Sequence, residues 1–554
     1  KESNCKLNDI DYIVFFEKPF LKFERLLETY MAFAPRGFKS FLMAMPIWLR
    51  EKLFQKKFLF DKLREHDEDF NDIKKINFSE HHFSHAASAF YPSPFDEQIQ
   101  HDYNSSVFSN GELYCYEEGK ITSIKNDGSS TFPEKSLLLG MKELKTRPDL
   151  IDLWVLPKPH KANLSKFKIF FCDFLKAFDQ KKNKSFKSWF KKKVIFVKHH
   201  NLHTYSAIGS SGWQNGIYLN IDGGGDSGDR RHFVWGKFNN GKLYEHGSLK
   251  GFNGPASFHA YVTEFCGFRD ENGKLSGFSG YGKVIKSLKN KFSEILYIKP
   301  DGIIFKRQRY NKTIPDIQKL DVSNYSRCKV FNDKISKTNI SKICKGYKPH
   351  DIAATAEDFL ADILIRFLRI IKKKFKNEKK IIFSGGFFLN VKINNLIEQS
   401  KIFEENFFSM APSDSGLSMG GIFSQKIKLS KKNLSNYGLN PYLGPSFKDN
   451  EVLHLLNSYN LKFTKPRNLE RDISKEISKK KIVGIFHDRA EFGLRSLGHR
   501  SILADPRYLS SKELINQKVK KRDWFMPFAP AILDYKFNEY FSSNLPSLYM
   551  QKAE

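Results

Sequence analysis

Arg489–Arg507 reads RAEFGLRSLGHRSILADPR. Four arginines and a histidine are packed into this stretch, punctuated by Gly493 and Gly498 and closed by the apolar run Ile502, Leu503 and Ala504. That run is expected to bury the chain directly after the arginines. Guanidinium groups held beside a buried segment need an anionic partner, and their planar fork matches carboxylate or phosphate. One reading is a salt-bridge network with Glu491 and Asp505. The other is a phosphate-rich substrate pocket built on Arg489, Arg495 and Arg500.

Outward from this stretch, composition narrows the classes. The 554 residues suffice for two to four domains with full cores. The longest apolar run, Phe41–Leu49, is too short to span a bilayer, so no membrane partner is expected. The chain opens on Lys1 with no secretory pattern, and its start is expected to be incomplete. The formal charge of +31 would suit nucleic acid, but its lysines are spread in short runs such as Lys191–Lys193 and Lys372–Lys374. Dispersed runs read as solvated faces rather than a binding groove, and no nucleic-acid partner is expected. The six cysteines show no CxxC spacing, which argues against a zinc knuckle or a disulfide framework and for a cytoplasmic protein.

The words GxRxLGxRSILADPR resemble the signature of the O-carbamoyltransferase family, the antibiotic-tailoring and nodulation-factor enzymes. KKRDWFMPFAPAIL, from Lys520, is similar to the family's second fingerprint. By this resemblance Lys520 and Arg522 add cations to Arg489, Arg495 and Arg500, and Ser501 offers a hydroxyl to phosphate. His499 is either a donor or a packing residue, while Phe525, Pro527, Phe528 and Pro530 are expected in the core.

In front of the signature the pattern alternates strand, turn and helix. NGIYLNIDGGGDSGD sets Ile217, Leu219 and Ile221 at period two, a strand ending on Asp222. AATAEDFLADILIRFLRIIKKKF reads as a long helix, KKIIFSGGFFLNVKINNLIEQ as strand, glycine pair and helix, and FFSMAPSDSGLSMGGIF as another strand-to-helix turn. The expected class is α/β: a two-lobed domain that looks like the actin/hexokinase-like (RNase H-type) fold over residues 101–430, a linker over 431–446, and a YrdC-like α/β domain over 447–554. The family normally continues with TxRxQ and NTSFN stretches, so this last domain is expected to be truncated.

Residues 1–100 duplicate part of the same lobe. IDYIVFF and SEHHFSH recur as IDLWVLP and KHHNLH, aligning Asp11–Glu97 with Asp152–Asn215. A join of neighbouring genes is preferred over a genuine half-lobe, which would leave sheet edges unpaired.

His199 and His203 stand four apart on one helix face and can share a metal. Asp414, in PSDSGL, is expected to reach them across the cleft, a donor set suited to iron first, with manganese or zinc as alternatives. In the family, and in its tRNA threonylcarbamoyladenosine-forming relatives, the matching residues hold a metal that touches nucleotide phosphates. His81 and His85 of the duplicate are the second choice. Asp222, Gly223, Gly224 and Gly225 form a turn whose amides can approach phosphate. Gly385 and Gly386 precede a helix, and Asn390 completes the resemblance to the family's GGxxLN. Lys274 matches a family lysine that would offset phosphate charge. His101 and Asp102 match the family's HDxS turn. The usual EEER is here EEGK, Glu117–Lys120, so the expected arginine is absent.

The resemblance implies that ATP and carbamoyl phosphate form a carbamoyl-adenylate in the C-terminal domain, positioned by the arginines. The lobed domain then transfers the carbamoyl group to a hydroxyl of a small molecule or glycoside. A tRNA threonylcarbamoyladenosine-type transferase and a catalytically incomplete remnant stay open as alternatives, and so does a homodimeric assembly.

Overall fold

The computed structural model describes residues 13–15, 55–65, 67–78, 104–109, 112–122, 134–146, 151–157, 192–223, 229, 231–251, 253–268, 273–306, 339–429, 440–541 and 547–553. His81, His85, His101, Asp102, Gly224 and Gly225 lie outside the described residues. The chain divides into two compact units, Lys1–Pro94 and Phe95–Glu554.

In the first unit, strand β1 (Ile13–Phe15) runs parallel to β2 (Ile76–Phe78), with Ile13 opposite Ile76. Helix α1 (Gln55–Arg64) lies between them in sequence. In the second unit, β3 (Asn104–Ser109) and β4 (Glu112–Glu117) form an antiparallel hairpin. Strands β5 (Trp154–Pro157) and β6 (Val194–Val197) then pair in parallel, with Trp154 opposite Val194. The repeated sequence therefore carries a repeated parallel strand pair, followed each time by an HHxxH run.

Helix α2 (His199–Ser211) leads into the main sheet, made of β7 (Asn215–Ile221), β8 (Arg231–Asn239), β9 (Lys242–Lys250), β10 (Lys380–Ser384) and β11 (Glu405–Phe408). The spatial order is β11-β10-β7-β8-β9: the first three run parallel, and β8 and β9 are antiparallel. Parallel neighbours need long crossovers and end up covered on both faces. Helix α3 (Pro349–Lys374) supplies one cover, with Ile352, Phe359, Ile363, Phe367 and Ile371 at helical spacing. They pack with Ile217, Leu219, Ile221, Phe233 and Phe383 in one cluster. On the opposite face Tyr218, Val234 and Ile382 meet Ile208 of α2 and Met419 and Phe423 of α4 (Leu417–Leu429). The period-two reading of β7 holds, although its second face is buried as well. This is a mixed α/β architecture in three layers.

The C-terminal stretch is built differently. Helices α5 (Asp449–Ser458) and α6 (Leu469–Ser478) contain no buried residue. The hairpin β12 (Val483–Phe486) with β13 (Arg500–Leu503) stands alone as a two-stranded sheet. The expected burial of Ile502, Leu503 and Ala504 is not observed: Ile502 is 36% exposed and the other two are only half-buried. A two-stranded sheet has too little neighbouring surface to bury its side chains. Of the four expected core residues in the second fingerprint, Phe525 is buried, whereas Pro527, Phe528 and Pro530 are exposed. No described helix is long and apolar enough to cross a membrane.

Candidate functional site

The C-terminal ends of parallel strands are where chain segments diverge and leave a crevice. Asp222 directly follows β7, the Gly385–Gly386 turn directly follows β10, and Asp414 opens the turn after β11. His199, at the first turn of α2, completes the set, with His203 one turn on. Four ligand atoms converge there. His199 Nε2 lies 3.2 Å from Asp222 Oδ2 and 3.3 Å from Asp414 Oδ1, and His203 Nε2 lies 3.3 Å from each of the same oxygens. The two imidazole Nε2 atoms are 3.0 Å apart. Ligands bonded at ordinary lengths around one transition-metal ion stand about 3.0–3.4 Å from each other, so this donor set fits a metal.

The electrostatics agree with the donor set. Burial alone would raise the Asp222 carboxyl, but hydrogen bonds with His199 and His203 hold it well below the usual range. Burial likewise opposes Asp414, yet the His199 charge and hydrogen bonds bring it down to about 2. Both acids are thus held as carboxylates, the form that ligates. Asp222 was expected in a phosphate turn; its carboxylate instead sits among the histidines, and an acid closing a central parallel strand was the signal for it. Its second oxygen, Oδ1, accepts the Gly386 N–H at 3.2 Å.

The glycine pair is required by close approach. Gly385 has φ +93°, and a Cβ there would sit 2.1 Å from the Ile221 carbonyl oxygen. A 3-10 turn, Gly386–Leu389, separates it from the helix Val391–Gln399, so the pair does not open the helix directly. Asn390 is the helix cap: its Oδ1 accepts from Ile393 N at 3.1 Å, while its Nδ2 donates to Glu357 at 2.7 Å. Glu357 also accepts from Ser276 and lies 3.0 Å from His259 Nε2. Sequence reasoning passed over Glu357 and His259, because single polar residues inside a helical pattern carry no spacing signal. Lys274 pairs with Asp523 at 2.5 Å, and Phe278, four residues on, packs against Phe525 of the second fingerprint. Among the described residues, nothing lies within 4 Å of where a Cβ on Gly223 would stand.

The arginine turn is tied by carbonyl oxygens rather than by carboxylates. Arg489 donates to Gly444, Leu113 and Leu443, and stacks on Tyr114 at 4.2 Å. Arg500 donates to His487, His499, Pro445 and Asp488, and lies over Phe486 at 3.7 Å. The salt-bridge reading fails for these two, since Glu491 spends its Oε1 on the Leu497, His499 and Arg500 backbone N–H groups. Asp505 pairs with Arg507 instead. Ser501 accepts from Gly498 N at 2.9 Å. Arg522 donates to Asn516 and Pro527, and Lys520 is exposed. Within the expected linker 431–446, the described end is pinned: Leu443 carbonyl accepts from Cys115 N, and Pro441 carbonyl from Phe492 N.

Arg495 is different. Its Nη2 donates to the Leu389 carbonyl at 3.2 Å, and among the described residues its buried Nε has no partner. Among the described residues no carboxylate pairs with it, and burial pulls its pKa below the ordinary arginine range. A half-buried guanidinium in that state is stabilised by an anion. The turn is clasped onto the lobe by Lys120, which donates to Glu491 O and Gly493 O, and by Glu117, which accepts from Gly493 N. Lys120 occupies the position of the missing arginine. A connected path therefore runs from the histidines through Asp222, the Gly386 amide and the Leu389 carbonyl to Arg495.

A family model described as "Carbamoyltransferase N-terminus" matches residues 1–104 and 160–422, and one described as "Carbamoyltransferase C-terminus" matches residues 474–554. An uncharacterized protein of Synechocystis is 27% identical over 562 residues, covering 99% of this chain and 70% of its own length. Nodulation protein NolNO of Sinorhizobium fredii is 28% identical over 366 residues, covering 63% of this chain and 49% of its own. This chain thus spans about half of that relative's length. Among solved structures, HypF of T. kodakarensis aligns with 61% of this chain and 49% of its own, at 13% identity and a TM-score of 0.36.

Proposed function

This chain belongs to the carbamoyltransferase family, and on that premise we propose that it is an ATP-dependent O-carbamoyltransferase. Water would cleave carbamoyl phosphate to carbamate and phosphate, and the carbamate oxygen would then attack the α-phosphorus of ATP, giving carbamoyl-adenylate with loss of pyrophosphate. A hydroxyl of a small molecule or glycoside would then take the carbamoyl group and release AMP. What carries this reading is the convergence of His199, His203, Asp222 and Asp414, with the Gly386–Leu389 turn bonded to Asp222 at one end and to Arg495 at the other.

In this reading Arg495 neutralises the adenylate phosphate, a role that requires its charge to be uncommitted beforehand. The Gly385–Gly386 turn lets backbone approach the nucleotide without a Cβ in the way. A divalent ion, iron first, held by His199, His203, Asp222 and Asp414 would supply Lewis acidity toward the phosphate and acyl oxygens. Arg489 and Arg500 shape the turn through carbonyl hydrogen bonds, so their contribution is to positioning. The sheet order, three antiparallel strands β9-β8-β7 continued by parallel β10 and β11, supports an RNase H-type lobe. A YrdC-like fold for the C-terminal stretch stands as the companion proposal.

The test is pyrophosphate release by the purified chain, with and without carbamoyl phosphate. Carbamoyl-phosphate-dependent release is expected, and Arg495→Ala should lower it by about a hundredfold. Release that ignores carbamoyl phosphate, or an Arg495→Ala variant with full rate, would sink the proposal.

A further inference from the structure

We propose that His487, Asp488 and His499 form a second divalent transition-metal site, on the rim of the arginine turn and separate from the histidine–aspartate centre. These three residues each offer a ligand atom within 4.8 Å of the others. They come from the two ends of one hairpin: His487 and Asp488 leave β12 as His499 enters β13, and His487 N bonds to His499 O at 3.2 Å. The strand pairing therefore holds the two imidazoles side by side, with ring centroids 4.2 Å apart.

The His499 ring is oriented from outside the cluster. His499 Nδ1 lies 2.7 Å from the Arg489 carbonyl oxygen, which can only accept, so Nδ1 carries the proton and Nε2 keeps its lone pair. A backbone carbonyl fixing the tautomer of an imidazole is the usual outer support of a metal-binding histidine. Tyr442 stacks on the same ring at 3.7 Å and stops it from turning. His487 Nδ1 stands 2.9 Å from Asp488 Oδ2, a span at which two atoms can share one ion.

The neighbouring cations do not fill the cluster. Arg489 gives its donors to Gly444, Leu113 and Leu443, and Arg500 donates to the carbonyl oxygens of His487, Asp488, His499 and Pro445. Asp488 is held at φ +45° while its carbonyl accepts from Arg500, so the guanidinium sits on the backbone side of the turn. The Asp488 side chain, 75% exposed, is left to face solvent with His487. Two imidazoles and one carboxylate suit zinc, cobalt or nickel rather than magnesium or calcium. Three protein ligands leave positions open to water or to an anionic oxygen.

The proposal does not depend on the transferase reading, because it is tested by binding alone. The full chain is stripped with a chelator, and zinc stoichiometry and the visible spectrum of the cobalt form are measured. The wild type should bind two ions. His199→Ala should keep the rim ion, His487→Ala and His499→Gln should each keep only the inner one, and His199→Ala/His499→Gln should bind none. Asp488→Asn should weaken the rim ion by about tenfold or more. Circular dichroism of every variant separates loss of a ligand from loss of fold, and the exposed position of His487 makes it the safest substitution. Unchanged stoichiometry in folded His487→Ala, or no metal bound by folded His199→Ala, would overturn the second site.

Discussion

Glu357 shows how one buried side chain can hold two functional loops in register. It is fully buried and joins Ser276, next to the Lys274 loop, to Asn390, at the end of the glycine turn. Burial pushes its carboxyl up, but hydrogen bonds from His259, Asn390 and Ser276 outweigh that and leave it below its ordinary value of 4.5. A depressed carboxylate contributes stability that is fully present above its unfolded pKa and is lost as pH falls through the folded one. In Glu357→Gln an amide donor would face the Asn390 Nδ2 donor, costing about 1–3 kcal/mol. Urea unfolding at neutral pH should show that loss, and the gap between variant and wild type should close as pH drops below about 4.5. A gap independent of pH would show that the ionised form contributes nothing.

At the scale of elements, the metal ligands depend on how closely α2 and α4 approach. A Cβ on Gly420 would lie 2.0 Å from the Leu202 carbonyl oxygen, and one on Gly209 would lie 2.1 Å from the Phe423 ring. Leu202 sits between His199 and His203, and Asp414 stands in the turn just before α4. The backbone contact therefore sets the separation of histidines from aspartate. Gly420→Ala should cost about 1–3 kcal/mol in thermal or urea unfolding and weaken metal binding together with stability. Tight metal binding in a destabilised Gly420→Ala would mean that the helix spacing does not govern the site. The same close approach explains Gly420 of SMGGIF, a stretch that read in sequence only as part of a strand-to-helix turn.

At the scale of the whole molecule, all four converging ligands and their supports lie within the unit Phe95–Glu554. The first unit repeats the parallel strand pair but falls outside that constellation. A chain of residues 95–554 is accordingly expected to bind metal at His199, His203, Asp222 and Asp414 with unchanged stoichiometry. Loss of the inner ion in a folded 95–554 chain would assign residues 1–94 a part in the site. The arginine turn belongs to the same unit as the lobe, since Lys120, Glu117, Leu389 and Leu443 all bond to it.

Much was legible in the linear order of residues. Period-two spacing located β7, the alternation of apolar runs with glycine and turn residues located β10 and β11, and helical spacing located α3, because these patterns are set by neighbours along the chain. The histidines were legible from their i, i+4 spacing on one helix face, the aspartate of PSDSGL from its place in a strand-to-helix turn and the resemblance, and the family words followed from the arginine stretch. Only the tertiary structure decided what the charged groups do. A carboxylate at a strand end reads identically whether it meets phosphate or imidazole, and Asp222 met imidazole. Arginines read identically whether they await an anion or cap carbonyls: Arg489 and Arg500 cap carbonyls, and Arg495 alone of the three keeps a buried Nε without a partner. Local sequence sets periodicity, because that is a property of neighbours along the chain. Pairing of charges is decided by residues hundreds of positions apart, and only folding brings those together.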